Sequence, residues 1–423
     1  MDIERKAHTY TRILGTILQS KCTGRVRLKK EGYGAKHLTL SARLYNPNDQ
    51  SKVLKVGEDF ALAAMVQQCM IERREGLIYF QLQLPEIYQT DLTRQDILKY
   101  DLPSDTIALG EGWSGVQYQF TNSAPHGLFA GTTGSGKTEA IKSTIVGLAQ
   151  TYTPIQLGML IVDGKKIDYG QDFNNLAHLV MPIAKDFNDY MKVIEYAHNE
   201  MRSRYRIMAQ DSTYKPKRLV LIIDEVHDSE IIGVKSNYEA IKDIAKLGRS
   251  ANVNLILGTQ KPGQDELPKI IDMLINRFVG LVSDARLSSD LTGKKQLGAH
   301  LLAGEGDMLH VVGSHVKRCQ ICQVTEADYK SLPRAETMEP ELREVHIPDD
   351  IVLNEPKGGR PENKISPEIL GYYAARHPKL PTVEQSKKNG ISYGKHKMHV
   401  DFWIEFLRNV KREKEQMKLN GGE

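Results

Sequence analysis

Cysteine is scarce. Four in 423 residues exclude a disulfide scaffold and point to a reducing, cytoplasmic setting. No apolar run approaches the ~18 residues that would cross a bilayer. The opening stretch MDIERKAHTY has no apolar h-region, so no secretory signal is expected. Charge of one sign is also missing: 57 Lys and Arg against 53 Asp and Glu leave only +4, which excludes a uniformly basic nucleic-acid coat. There is no internal repeat and no long low-complexity tract. The 13 histidines form no H-E-x-x-H, so nothing suggests a zinc hydrolase. Cys319-Gln-Ile-Cys322 is a lone C-x-x-C on a strand-like stretch with no second pair nearby, which argues against structural zinc. What is present, 40% hydrophobic and 26% charged residues, fits a soluble globular chain of several domains.

Three textures follow one another. Residues 1–105 read as a small α+β subdomain. HLTLSARLY (37–45) and LIYFQLQL (77–84) alternate like half-buried strands, and residues 57–76 between them read as one helix, with Glu58 and Asp59 near its start and Gly76 past its end. Over residues 106–345, short β-branched runs alternate with helical patterns: HGLFAG, LGMLIVD, RLVLIIDE, VNLILGTQ and RFVGLVS. Continuous apolar strands separated by helices predict a parallel sheet covered on both faces, an α/β architecture. Residues 346–365 read as a Pro/Gly-rich linker. Residues 366–423 read as a short helical tail. Pro367 and Glu368 stand in a first turn, and Thr382 to Gln385 form a capping box. Trp403, Phe406, Leu407 and Val410 share one face of the last helix.

Chemistry enters at Gly131-Thr132-Thr133-Gly134-Ser135-Gly136-Lys137-Thr138, a full G-x-x-x-x-G-K-[ST] between the strand-like GLFA and a helical run. Such a loop turns backbone N–H groups onto phosphate oxygens at a helix N-terminus. Lys137 is expected on the β- and γ-phosphates and the Thr138 hydroxyl on Mg²⁺, with ATP as the nucleotide. Leu219 to Ile223 run into Asp224–Glu225. Asp224 is placed to hold Mg²⁺ and Glu225 to act as general base on the attacking water. VNLILG ends in Thr259–Gln260, a strand end suited to sensing the γ-phosphate or positioning that water.

With these segments in order, the chain resembles the FtsK/SpoIIIE family of hexameric DNA translocases within the FtsK–HerA superfamily. AGTTGSGKT (130–138) resembles its phosphate loop. IVDGKK (161–166) resembles its I-D-P-K, with Gly164 where proline is usual. NEMRSRYRIM (199–208) resembles its E-M-x-x-R-Y helix, and IIDEVHD (222–228) its D-E-F-A-D. GRSANVNLILGTQKP (248–262) and GEGDML (304–309) resemble two further signatures. The resemblance implies a RecA-like P-loop motor domain that hydrolyses ATP and moves double-stranded DNA through a homo-oligomeric ring, a hexamer. It implies that Arg249 reaches a neighbouring subunit's nucleotide as an arginine finger in trans; the competing reading is a solvated helix-end arginine. Arg286 stands near the family's V-S-S-K lysine, one position out of step. Two departures stand out: Lys261 replaces the arginine of Q-R-P, and Ser288 replaces another arginine. The membrane-spanning region of cell-division FtsK is not expected in this chain.

Candidate DNA-gripping loops are 229–240 and 293–300, each open to a plain surface-loop reading. Residues 386–418 hold seven Lys and two Arg against four acidic residues. This basic excess, with Lys387, Lys388, Lys395 and Lys397 around a turn, fits a helix-turn-helix or winged-helix reader of DNA, or a tail that docks on the motor or a partner. The leading expectation is a double-stranded DNA translocase. Beside it stand a conjugative coupling, DNA-transfer or phage-packaging ATPase of a mobile element and, in another class, a nucleotide-switched DNA-binding scaffold that does not translocate.

Overall fold

A computed structural model describes residues 3–335, except 67–68, 75, 101–105, 113–114, 120–123, 229, 261–266, 295–296 and 314. Lys261, the 346–365 stretch and the 366–423 tail, with Lys387, Lys388, Lys395 and Lys397, lie outside the described residues.

Alternating apolar residues build a four-stranded antiparallel sheet from β1 (Val26–Tyr33), β2 (His37–Leu44), β3 (Cys69–Arg74) and β4 (Leu77–Gln83), in the order β1-β2-β4-β3. Leu38, Leu40 and Ala42, spaced by two, turn to one face. They are buried there with Leu14 and Leu18 of the helix Ile3–Lys21. The single helix expected over 57–76 is corrected. It ends at Ala64, where Met65 takes a left-handed φ of 55° and donates to the carbonyls of Ala61 and Leu62. Residues 69–74 instead pair with β4. Cys69 and Ile71 pack toward the small sheet's core, while Met70 packs against the core of the larger sheet described next. Cross-strand pairing overrides the helical composition of MIERR.

The larger sheet has nine strands: β5 (Ile107–Gly112), β6 (Gly115–Gln119), β7 (Gly127–Ala130), β8 (Leu157–Asp163), β9 (Arg218–Asp224), β10 (Val253–Thr259), β11 (Asn276–Val279), β12 (Asp307–Val312) and β13 (His315–Ile321). Their order is β6-β5-β13-β12-β11-β7-β10-β9-β8. From β11 to β8 the strands are parallel. β12, β13, β5 and β6 extend the sheet antiparallel. Strand β9 shows why both faces are covered. Leu219, Leu221 and Ile223 enter one core with the helices Phe187–Gln210 and Lys235–Leu247, while Val220 and Ile222 enter the other with Lys137–Thr151.

A short segment ahead of this sheet also packs on it. Arg94, 1% exposed, donates from Nε to Gln150 Oε1 at 2.6 Å and from Nη1 to the Ala108 carbonyl at 3.1 Å. It fills the flank of the helix beside Gly147, where an added Cβ would lie 2.9 Å from Nη2. Cys319 and Cys322 are buried and free, with Cys322 Sγ 3.2 Å from Ser143 Oγ.

Phe129, Phe278 and His310 sit opposite one another on β7, β11 and β12 and stack. Ring centroids are 5.2 Å apart for the phenylalanines and 4.1 Å for Phe278 and His310. Burial, then Lys317, pushes the His310 imidazole down to about 3. His126, whose Nδ1 accepts from the Leu255 N–H at 3.0 Å, is pushed down to about 4 by burial and then Arg249. Both rings stay neutral in the folded chain but take up protons near pH ~6.5 once unfolded. Stability is therefore present above pH ~6.5 and falls as pH drops below it, by up to about 1.4 kcal/mol per pH unit for each ring. In thermal unfolding across pH 4–7, His310→Gln is expected to flatten the acid-side loss of Tm. An unchanged slope would assign the acid sensitivity to other groups.

Candidate nucleotide site

Strand β7 stops at Ala130, and the chain turns back through Gly131 to Gly136 before the helix that starts at Lys137. The turn is held from three sides. The Gly131 N–H donates to the Thr259 carbonyl at the end of β10 (3.1 Å). The Thr132 N–H and hydroxyl both donate to the Leu281 carbonyl, at 2.8 and 3.0 Å. The carbonyls of Gly134 and Ser135 accept from the N–H groups of Glu305 and Gly306, at 2.8 and 3.0 Å. Gly134 and Gly136 have φ of 81° and 89°, a region costly for residues with a Cβ. Ser135 is buried against Gly131 and Gly280, with no partner for its Oγ among the described residues.

Lys137 Nζ is buried and donates to both Asp224 Oδ1 and Glu225 Oε1. Glu225 reaches it because its backbone adopts a φ of 60° immediately after β9, a conformation a non-glycine residue holds only where the surroundings impose it. Gln260 bridges the cluster: its Nε2 donates to Glu225 Oε1 at 2.7 Å, and its Oε1 accepts from the exposed Thr133 hydroxyl at 3.3 Å. His227 Nδ1 lies 3.1 Å from Glu225 Oε2. Burial pushes the Glu225 carboxyl up, but His227 and the Lys137 ammonium outweigh it and hold the group at about 2. Glu225 is therefore ionised near neutral pH, as a proton acceptor must be.

Asp224 is fully buried. Its Oδ2 accepts from the Tyr169 hydroxyl at 3.0 Å, and the Tyr169 N–H donates to Asp163 Oδ2 at 3.2 Å. Asp163 and Asp224 face each other in register across β8 and β9. Burial raises Asp163, against the pull of the backbone bond from Tyr169. Lys165 is raised: burial lowers it, but Asp224 and Asp168 prevail. Gly164 packs directly on this acidic end, since a Cβ there would sit 2.7 Å from the Asp224 carbonyl. Tyr169 belongs to no motif; its one signal in the sequence is an aromatic residue six positions after a strand-end aspartate.

The structure thus brings Lys137, Asp224, Glu225, Gln260 and Thr133 together. Thr138 is half-buried in the first turn of the following helix. Arg249 and Arg286 are exposed. Arg249 follows the helix Lys235–Leu247 and its Gly248 cap, and Arg286 sits in the first turn of Ala285–Thr292. Ser288 is buried and its hydroxyl accepts the Ala299 N–H at 2.9 Å. Of the two segments considered for DNA, 229–240 runs into the helix that starts at Lys235. The other, 293–300, turns through Gly293 and Gly298 at positive φ.

A glycine-rich loop between a parallel strand and a helix, with an acidic pair on β9, defines a P-loop nucleotide-binding fold of the RecA-like motor type. The TcpA conjugation coupling protein of pCW3, solved as a monomer with ATPγS, shares this fold. The TM-score is 0.50 at 16% identity, over 75% of this chain and 95% of that one. The FtsK/SpoIIIE family model matches residues 92–321, and the chain belongs to that family. The DNA translocase FtsK of Caldanaerobacter subterraneus subsp. tengcongensis is 34% identical over 201 residues, 44% of this chain and 28% of that protein. The DNA translocase FtsK of Staphylococcus epidermidis is 28% identical over 289 residues, 62% of this chain and 36% of its own length. The chain thus spans roughly a third of these curated relatives.

Two glycines separate space from backbone strain. A Cβ on Gly136 would lie 2.3 Å from the Gly306 nitrogen, whereas one on Gly134 meets nothing within 4 Å. Gly134→Ala is expected to cost about 1–2 kcal/mol, the left-handed penalty alone. Gly136→Ala should cost more and should also abolish nucleotide binding. Thermal unfolding and titration with a fluorescent ATP analogue check the ranking, and equal effects would reject it.

Proposed function

We propose that the protein is an ATP hydrolase that moves double-stranded DNA as a ring of identical subunits. The observation that carries this reading is the buried cluster of Lys137, Asp224, Glu225 and Gln260 against the phosphate loop, in a chain of the FtsK/SpoIIIE family. The residues suit ATP: closely packed glycines, N–H groups at a helix N-terminus, and a buried lysine held by acids. The pair Thr138 and Asp224 suits Mg²⁺, which when bound neutralises charge on the β- and γ-phosphates.

The chain's own groups divide the work. Lys137 leaves its carboxylate partners for the phosphates, which releases Glu225. Glu225, ionised, accepts a proton from the attacking water, and Gln260 orients that water while staying hydrogen-bonded to Glu225. Tyr169 holds Asp224 in place. Arg249, exposed and 25 positions after Asp224, is free to act on a neighbouring subunit's nucleotide in trans; Arg286 is the second basic residue on offer. DNA is gripped through its backbone, with little regard for sequence. The tail, with Lys387, Lys388, Lys395 and Lys397, adds selectivity as a DNA reader.

Long duplex DNA is expected to stimulate ATP hydrolysis, and the protein to displace a triplex-forming strand from that duplex. Glu225→Gln should lower kcat by about 10²–10⁴-fold while retaining ATP binding. DNA-stimulated hydrolysis without triplex displacement would favour a non-translocating ATPase. DNA binding with no hydrolysis, unaltered in Lys137→Ala, would favour the scaffold. Deleting 366–423 should remove preference among duplex sequences and leave basal hydrolysis intact; preference that survives the deletion would refute the reader role.

A further inference from the structure

Behind the phosphate loop lies a second turn, residues 303–307, built with unusual strictness. Gly304, Glu305 and Gly306 have φ of 83°, 50° and 86°; glycine adopts this region freely, but Glu305 is held there by its surroundings. The result is that the N–H groups of Glu305 and Gly306 point at the phosphate loop and take the carbonyls of Gly134 and Ser135. Those two carbonyls are thereby occupied at the back of the loop. A Cβ on Gly136 would lie 2.3 Å from the Gly306 nitrogen, and one on Gly306 would lie 2.9 Å from Gln320 Nε2. The turn is a template for the loop.

What holds the turn is Asp307, fully buried at the start of β12. Its carboxylate accepts two bonds from Arg318, from Nε at 2.8 Å and from Nη2 at 2.6 Å, and one from the Ala303 N–H at 2.9 Å, closing the turn on itself. Burial works against the charged carboxylate, but Arg318 outweighs it and holds the group well below the usual carboxylate range, while burial and Arg318 push the neighbouring His37 imidazole down. Gln320 adds a bond from Nε2 to the Glu305 carbonyl at 2.7 Å. The turn is also touched from the other sheet. His37 Nε2, on β2, lies 3.4 Å from Asp307 Oδ1, and Lys36 Nζ lies 3.6 Å from the Glu305 carboxylate. His37 Nε2, Thr39 Oγ1 and Gln81 Nε2, on the same face of the small sheet, are buried without a hydrogen-bond partner among the described residues. At this end, the small sheet meets the turn through the Lys36–Glu305 ion pair and the close approach of His37 to Asp307.

We propose that Asp307, clamped by Arg318 and met by His37, is a positioning residue that sets the phosphate loop in its nucleotide-accepting shape and makes that shape answer to the four-stranded sheet. The proposal rests on the reading of the loop as an ATP site. Because such coupling is reciprocal, nucleotide on one side of the turn must alter the small sheet on the other.

Hydrogen–deuterium exchange on the full chain, with and without ATPγS and Mg²⁺, tests this. In the wild type, nucleotide is expected to slow exchange at 131–138 and also at 36–41. In Asp307→Asn, exchange at 131–138 without nucleotide should rise, the Kd for ATPγS should increase about tenfold, within the usual range for coupled sites, and the response at 36–41 should vanish. Gln320→Met loses one bond to the turn while keeping its bulk. It should show the same changes at smaller amplitude, and it serves should Asp307→Asn fail to fold. An ATPγS Kd within twofold of wild type in a folded variant, or a wild type whose 36–41 segment ignores nucleotide, overturns the proposal. A wild type that binds no nucleotide overturns the ATPase reading instead. The exchange of 131–138 in the nucleotide-free variants then still decides whether Asp307 shapes the loop.

Discussion

A buried ammonium must have an anion beside it. In this chain that requirement falls on Lys137, set against Asp224 and Glu225 in a place almost closed to water. Removing one partner of such a contact leaves the other charge uncompensated, at about 3–5 kcal/mol. Much of the sheet serves that proximity. β7 delivers the lysine, β9 the acids, and β10 runs between them with Gln260 at its end. The approach is so close that Gly258 on β10 has no room for a Cβ, which would stand 2.6 Å from Asp224 Oδ1. In the proposed reaction, a phosphate that drew Lys137 away would change the electrostatic partners of both acids at once and so couple binding to the release of Glu225.

The second buried ion pair, Asp307 with Arg318, lies behind the same loop. One pair faces the nucleotide; the other faces the small sheet. The phosphate loop is therefore clamped between two charge pairs, and its backbone is fixed by hydrogen bonds to residues far along the chain, at 259, 281, 305 and 306.

Much of this was legible in the residue order. The phosphate loop, the acidic pair after RLVLII and the Gln at the end of VNLILGT are strand-end features, and a strand end between apolar runs is visible locally. The five parallel strands follow from the same runs. Other features were not legible, for one physical reason: they exist only once distant strands meet. Tyr169 reaches Asp224 across 55 positions, and Arg94 reaches Gln150 across 56. The antiparallel additions β12, β13, β5 and β6 depend on pairings that no local period reveals. The stretch 69–74 carries helix-compatible residues and becomes a strand because β4 lies beside it. The strained Glu225 and the left-handed run at 304–306 are also products of the packed state.

Arg94 has a consequence for heredity. It stands before the nine-stranded sheet in the chain, yet its guanidinium completes the flank of the helix that follows the phosphate loop. A gene fragment that began at the first strand of that sheet would encode a helix with a hole beside Gly147 and Gln150. A piece that keeps this contact must start at or before Arg94, and the match to the family begins at residue 92.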